Sequence, residues 1–100
     1  MLEIDEAERS VTIKDRRLDP PLSLAQFRLL QLLYDADGAV SSRDAIVDVV
    51  WPGTEGLGVS EQAIDALVRR LRDRLAELDD YNFVVTVRGH GFRMDNPVTA

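Results

Sequence analysis

The first 22 residues alternate between apolar and polar side chains, with apolar positions at Leu2, Ile4, Val11, Ile13 and Leu18. A period of two residues is typical of short strands that bury one face. The polar stretches 5–9 and 14–17 separate these strands, and Pro20 and Pro21 cannot donate to a strand ladder. We therefore predict an antiparallel strand meander over residues 1–22 that ends at the two prolines.

Three later stretches change to spacings of three and four residues, which predicts three amphipathic helices. A serine can cap the start of each helix: Ser23, which forms a capping-box pattern with Gln26, then Ser41 or Ser42, then Ser60. The helices are predicted to end near Gly38, at Trp51 and near Leu78. The buried face of the second helix is predicted to consist of Ala45, Ile46, Val49 and Val50.

The last part of the chain, "YNFVVTVRGHGFRM", contains two β-rich runs joined through Gly89, His90 and Gly91. Glycine in a short connection between two such runs predicts a β-hairpin. The order of strands, three helices and hairpin predicts one α+β domain over residues 1–97. We divide it into a strand meander (1–22), a three-helix core (23–78) and a hairpin (81–94), followed by a tail (98–100).

The composition is that of one small globular domain, with 100 residues, 45% of them hydrophobic and 30% charged. The absence of cysteine excludes disulfides, thiolate nucleophiles and zinc–cysteine sites. With a single histidine and no phosphate-binding glycine loop, we expect neither an enzyme nor a cofactor. The N-terminus does not resemble a signal peptide and no apolar run could span a bilayer, so we expect a cytoplasmic protein without membrane contact.

The charge of the chain is unevenly distributed. A formal net charge of −6 and a pI near 4.6 argue against nucleic-acid binding, whose non-specific part comes from neutralising phosphates. Residues 1–58, however, hold six basic and eleven acidic side chains, whereas residues 59–94 hold six of each. All six basic residues in the second segment are arginines. The second segment is therefore where an anionic partner would be sought.

Four arginines fall within six positions of the third predicted helix: Arg69, Arg70, Arg72 and Arg74. At about 100° per residue they lie opposite or beside the apolar face, which is formed by Ile64, Leu67, Val68, Leu71, Leu75 and Leu78. The five-donor guanidinium suits bidentate contact with phosphate or guanine. The alternative is an ordinary solvated surface, in which pairs such as Asp65–Arg69 and Arg69–Asp73 contribute roughly 0.2–0.5 kcal/mol each.

The hairpin adds a second candidate contact, because Arg88 stands at the start of its turn. An arginine at this place can reach into a minor groove, where the negative potential is strong. The alternative is an arginine that holds the turn in water. His90 has no second ligand at metal-binding spacing, so no metal site is expected.

Four blocks of the chain together resemble the OmpR/PhoB-type winged-helix DNA-binding domain of two-component response regulators. They are "LSLAQFRLL" (22–30), "SRDAIVDVVW" (42–51), "AIDALVRRLR" (63–72) and "TVRGHGFR" (86–93). The resemblance covers nearly the whole chain in the right order. It implies a winged helix-turn-helix fold in which the helix over residues 60–78 enters a major groove and the hairpin is the wing.

The resemblance also implies which residues contact DNA. Gln62, Arg69, Arg70 and Arg72 fall where the family contacts backbone and bases, and Thr86 and Arg88 fall where its wing contacts phosphate and minor groove. Trp51 matches a tryptophan whose indole N–H can reach a phosphate, although packing as a core plug is an equally open interpretation. The candidate DNA-binding residues are Trp51, Gln62, Arg69, Arg70, Arg72, Arg74, Thr86 and Arg88.

The partners that the resemblance implies are double-stranded DNA, RNA polymerase through the loop 52–60, and a receiver or other regulatory domain in a longer protein. We expect the isolated domain to be a monomer that can dimerise on DNA. A second hypothesis rests on the net charge of −6 and on two departures from the family pattern, Leu67 and Asp73. In that hypothesis the winged helix has lost DNA binding and acts as a protein-interaction or regulatory module.

Overall fold

The computed structural model describes residues 1–54 and 58–97. Its elements in chain order are β1 Leu2–Asp5, β2 Ser10–Ile13, β3 Arg16–Arg17, α1 Leu24–Asp35, α2 Arg43–Val50, α3 Glu61–Ala76, β4 Val84–Val87 and β5 Gly91–Met94. The predicted order of strands, three helices and hairpin is confirmed. The tail 98–100 and residues 55–57 of the loop proposed to meet RNA polymerase lie outside the described residues.

The N-terminal strands form an antiparallel sheet in the order β1-β2-β3. Leu2 pairs with Ile13 and Ile4 with Val11, which places the apolar residues of the two strands on one face. The stretch 14–17 was predicted as a connection only, and this is wrong for Arg16–Arg17, which form β3. Both arginines of β3 are exposed, so the strand carries no apolar alternation from which it could be predicted.

A serine is the N-cap residue of each of the three helices. Ser23 and Gln26 form the predicted capping box, and Ser60 accepts a hydrogen bond from the Ala63 N–H at 3.1 Å. The cap of α2 is Ser42, whose hydroxyl accepts from the Ala45 N–H at 3.1 Å. Its neighbour Ser41 is buried and pairs with the hairpin instead. Each cap satisfies one of the N–H groups that a helix leaves without an intrahelical partner.

The core lies between the three helices, the N-terminal sheet and the hairpin. The predicted buried face of α2 is wrong in part, because Val47 is buried while Val49 is 38% exposed. Valines occupy positions 47, 49 and 50, so the sequence allows two rotations of this helix, and packing selects the one that buries Val47. Within the described ranges, the helices lack the length and apolar character that crossing a membrane requires.

Candidate nucleic-acid interface

The position of α3 follows from its apolar side, where Ile64, Leu67, Val68, Leu71 and Leu75 are buried. Leu67 replaces a polar residue of the family pattern, and at 6% exposure it belongs to the core. This leucine therefore does not place an apolar side chain on the outward face of α3. Burial along the whole length of α3 holds the helix firmly and presents its opposite side to solvent.

Two arginines of α3 are free to meet a partner. Arg69 and Arg70 are exposed, and neither makes a hydrogen bond or ion pair within the described part of the chain. Gln62, about two turns earlier, is exposed in the same way. These side chains keep their full set of donors for an external acceptor such as a phosphate oxygen or a base edge.

Arg72 is used inside the protein. Its Nε and Nη2 donate to the carbonyl oxygen of Val84 at 3.0 and 2.8 Å. The same Nη2 lies 2.8 Å from the hydroxyl oxygen of Thr86, which accepts the hydrogen bond. Helical spacing predicts an outward-facing Arg72, but the guanidinium turns to the first strand of the hairpin. It fastens α3 to β4.

Arg74 is also bound within the protein, at the C-terminal end of α3. Its Nε donates to Glu77 at 2.9 Å, and its Nη2 donates to the carbonyl oxygen of Pro20. Two further contacts join this end to the N-terminal sheet: Arg16 donates to the Leu78 carbonyl at 3.0 Å, and Lys14 lies 3.1 Å from Asp79. Carbonyl groups at the end of a helix need such donors. The sheet thus anchors the helix end.

The hairpin turn comprises residues 88–90, and Gly91 is already the first residue of β5. The His90 N–H donates to the Val87 carbonyl at 2.9 Å and closes the turn. Arg88 is exposed and has no partner among the described residues. Its side chain therefore remains available at the tip of the hairpin.

The hairpin is attached to the connection between α1 and α2. Ser41 and Phe92 exchange two backbone hydrogen bonds of 2.8 and 3.0 Å, which adds a bridge to the outer side of β5. Gly91 makes this approach possible, because a Cβ atom there would lie 2.1 Å from the Ser41 carbonyl oxygen. Gly91 also has a φ of +143°, a conformation that side chains disfavour. The sequence signal was a glycine, but its partner could not be predicted.

Arg43, the first residue of α2, was not singled out from the sequence. One of its nitrogens lies 2.8 Å from Glu61 and another 2.8 Å from Asp65, both on the first turns of α3. Its guanidinium also lies 5.2 Å from the centroid of the Phe92 ring. The hydrogen bond to Asp65 raises the pKa of Arg43 and keeps it charged. Asp65 therefore pairs with α2, and Arg69 is left unpaired.

A groove of about 450 Å³ separates the start of α2 from the hairpin turn. Ser42, Arg43 and Asp44 line one side, and residues 86–91 line the other. Arginines stand on both sides of this groove, Arg43 with its carboxylate partners and Arg88 without one. The groove thus places one unpaired arginine, Arg88, opposite an arginine whose charge is already paired.

Trp51 ends α2 and is half-buried against the core. The backbone N–H of Trp51 donates to the Val47 carbonyl at 2.9 Å, and its backbone carbonyl accepts from the Thr54 hydroxyl at 2.9 Å. This packing favours the interpretation of Trp51 as a plug at the start of the loop between α2 and α3. A phosphate contact by its indole N–H stays a prediction.

The sequence of this chain is similar to those of known proteins of one family. Residues 18–94 match the family described as "Transcriptional regulatory protein, C terminal". The heme response regulator HssR of Staphylococcus saprophyticus is 32% identical over 97 residues, which cover 97% of this chain and 38% of HssR. The chain thus spans less than half the length of this curated relative.

Two solved DNA complexes contain domains of the same fold. The DNA-binding domain of the response regulator AdeR, in complex with an intercistronic region, has a TM-score of 0.80 and 28% identity, covering 96% of this chain and 95% of that chain. The DNA-binding domain of Klebsiella pneumoniae RstA, in complex with the RstA box, has a TM-score of 0.75 and 28% identity, covering 93% and 89%.

Proposed function

The chain belongs to the transcriptional regulatory protein C-terminal family, a family of winged-helix DNA-binding domains rather than enzymes, and we propose that it binds specific double-stranded DNA sequences in transcription regulation. In this proposal α3 enters a major groove and Arg88 enters the adjacent minor groove. The supporting observation is that Arg69, Arg70 and Arg88 are exposed and unpaired among the described residues, on two elements that Arg72 fastens together.

The proposed contacts differ in kind. Arg69, Arg70 and Gln62 keep their donors free for phosphates and base edges. Thr86 already accepts a hydrogen bond from Arg72, so its hydroxyl proton remains free to be donated to a phosphate oxygen. Arg72 can contact DNA only through donors that Val84 and Thr86 leave unused.

Trp51 and Arg74 complete the set of proposed contacts, each in a secondary role. Trp51 is half-buried against the core, so only an indole N–H left at the surface could meet a phosphate. The guanidinium of Arg74 is bound to Glu77 and Pro20. We therefore assign to Arg74 a weaker, long-range attraction to the phosphates.

The net charge of −6 shapes the expected affinity. Repulsion between acidic residues and DNA extends over about a Debye length, roughly 8–10 Å at ordinary salt. It suppresses non-specific binding more than it weakens a site at which arginines touch phosphate directly. We therefore infer that the isolated domain, residues 1–97, binds weakly as a monomer and that dimerisation or a tandem site raises its occupancy.

The wider setting is also part of the proposal. HssR is a response regulator of which this chain covers 38%. We propose that a receiver or other regulatory domain controls this domain, and that it acts in the cytoplasm, where bacterial DNA lies. The loop between α2 and α3 is the candidate contact for RNA polymerase.

Selection from a randomised duplex pool, followed by fluorescence anisotropy, tests the proposal. Several phosphate contacts predict a loss of roughly a hundredfold in affinity between about 50 and about 200 mM salt. Arg70→Ala and Arg88→Ala should each weaken binding of the selected duplex by about 1–3 kcal/mol. Arg17→Ala, in the N-terminal sheet, removes the same charge as a control and should have little effect.

The opposite outcome is equally clear. If both variants bind the selected duplex as the wild type does, the proposed groove contacts are wrong. If no duplex is bound even at about 50 mM salt, where electrostatic attraction is strongest, the hypothesis of a protein-interaction module replaces DNA binding. The next step would then be a pull-down with this domain as bait, to find a protein that binds the exposed face of α3.

A further inference from the structure

We propose that Arg43 is a positioning residue of the DNA interface, which acts as a fixed counter-ion for Glu61 and Asp65 at the start of α3. By holding these two carboxylates, Arg43 prevents them from repelling the phosphates that α3 approaches. This inference rests on the proposed function, since it concerns how an acidic helix start is made compatible with DNA. Without Arg43, the helix would present negative charge beside its free arginines.

The geometry of the cluster carries the inference. Arg43 lies 2.8 Å from Glu61 and 2.8 Å from Asp65 through two different nitrogens. The Arg43 side chain is 35% exposed, whereas Glu61 and Asp65 are 71% and 58% exposed. The cation is therefore the more enclosed partner and the two carboxylates face outward. Neither carboxylate has another cationic partner in the described ranges of the chain.

The carboxylates stand where DNA would feel them. Residues 61, 65 and 69 follow one another at four-residue intervals, so Glu61, Asp65 and Arg69 form one row along α3. A phosphate bound by Arg69 would lie close to Asp65. Two uncompensated negative charges in that row would oppose the contact, because like charges across an interface weaken association.

The position of Glu61 explains why an acidic residue is present at the start of α3. Glu61 is the first residue of α3, and a negative charge there interacts favourably with the helix dipole. Helix stability and DNA affinity therefore make opposite demands on this position. Arg43 eases this conflict, since it leaves the carboxylates in place and offsets one of their two negative charges.

Arg43 is also held against the hairpin. Its guanidinium lies 5.2 Å from the centre of the Phe92 ring, and Phe92 is bridged to Ser41 two residues before Arg43. The side chain thus joins α2, α3 and β5 at a fixed point. Lysine could supply the charge at this point but not the planar group that hydrogen-bonds Asp65, pairs with Glu61 and lies over the Phe92 ring.

A double-mutant cycle with Arg43→Met and Glu61→Gln tests this role on the selected duplex. Arg43→Met should lower the affinity about tenfold at roughly 0.1 M salt, and the factor should shrink as added salt screens the charges. Adding Glu61→Gln should restore part of that loss, because Asp65 stays charged and has lost its cation. In the wild-type background Glu61→Gln should change the affinity by less than about threefold, because its charge is already offset.

The matched control is the surface pair of Arg17 and Glu8, which lie 3.4 Å apart in the N-terminal sheet region. Arg17→Met removes the same charge as Arg43→Met, and Glu8→Gln should not restore the binding of Arg43→Met. Melting temperatures of all variants separate folding from binding. A purely structural Arg43 would give a loss that Glu61→Gln does not repair.

The remaining outcomes are also decisive. Additive effects of the two substitutions would overturn the counter-ion role and indicate that Arg43 contacts DNA directly or only supports the fold. If the wild type itself binds no duplex, it is the proposed function that fails. Should Arg43→Met not fold, Arg43→Gln carries the same cycle, because glutamine can still hydrogen-bond Asp65 but has no charge.

Discussion

The arginines of α3 on either side of Leu71 differ in what they do, although the sequence places them on one side of the helix. Up to Arg70, the arginines project into solvent and have no partner in the described chain. After Arg70, Arg72 is bonded to β4 and Arg74 to Pro20, in the segment that follows the N-terminal sheet. The part up to Arg70 offers free arginines to a partner, and the part after it attaches the helix to the fold.

The difference has a physical cause at the helix ends. The start of α3 needs acceptors for its free N–H groups, and the small side chain of Ser60 supplies one. Just past the other end of the helix, Arg16 donates to the Leu78 carbonyl. Arg72 and Arg74 donate to the carbonyl groups of Val84 and Pro20, which lie outside the helix. These tertiary contacts occupy the arginines after Arg70, whereas Arg69 and Arg70 stay accessible.

The largest effect that would test this comparison is on stability. Arg72→Ala removes three charged-donor hydrogen bonds to β4 and should destabilise the fold by roughly 2–3 kcal/mol. This corresponds to a fall of the order of 10 °C in Tm for a domain of this size. Arg69→Ala is the matched control and should stay within about 0.5 kcal/mol. Equal Tm values for the two variants would contradict the conclusion that Arg72 attaches α3 to the fold and Arg69 does not.

The second effect is on the salt dependence of DNA binding. If Arg69 contacts a phosphate, Arg69→Ala should lower the slope of log affinity against log salt by about 1. Arg72→Ala should weaken binding through a displaced hairpin but leave the slope nearly unchanged. Titrations at four salt concentrations measure both slopes. A reduced slope for Arg72→Ala would show that this arginine also reaches the phosphates.

The order of elements could be predicted because it depends on local patterns. The period-two alternation around Leu2 and Val11, the serine caps and the glycines of the hairpin each act within a few residues. Where two rotations of α2 bury similar area, as with Val47 and Val49, local pattern could not decide. The structure settled that choice by packing.

The partners of the arginines could not be predicted for a related reason. Helical spacing suggested that Asp65 pairs with Arg69, yet Asp65 pairs with Arg43, which is 22 positions away in the chain. The close approach of Gly91 to Ser41 is likewise a contact between distant segments. Amphipathic spacing identifies a polar face, but only tertiary packing decides which of its charges are already used.

A smaller effect concerns the end of α3. Arg74→Ala removes the bonds to Glu77 and Pro20 and should destabilise the fold by about 1 kcal/mol, since the side chain is partly exposed and its pair with Glu77 is screened by solvent. Glu77→Ala removes only that pair and should cost less, about 0.5 kcal/mol. Urea unfolding at neutral pH compares the two. A larger loss for Glu77→Ala would mean that the anchor to Pro20 contributes little.

The smallest effect is a pH dependence at the same anchor. The backbone N–H of Tyr81 donates to Asp79, and together with the ion pair to Lys14 it lowers the pKa of this carboxyl. A lowered folded-state pKa gives stability that is present above the unfolded pKa of about 3.9 and is lost as the pH falls through the folded value. Asp79→Asn keeps the acceptor oxygen but not the charge.

We therefore expect Asp79→Asn to melt slightly below the wild type near pH 7, and the difference should shrink as the pH falls through the lowered folded-state pKa of Asp79 and the wild-type carboxyl becomes protonated. Asp80→Asn changes the charge of the exposed neighbour and serves as the control. Melting curves recorded by circular dichroism across this range measure the difference. If it persisted unchanged at low pH, the contribution of Asp79 would come from its shape rather than its charge. The ion pair between Lys14 and Asp79 would then contribute nothing to holding the C-terminal end of α3 against the N-terminal sheet.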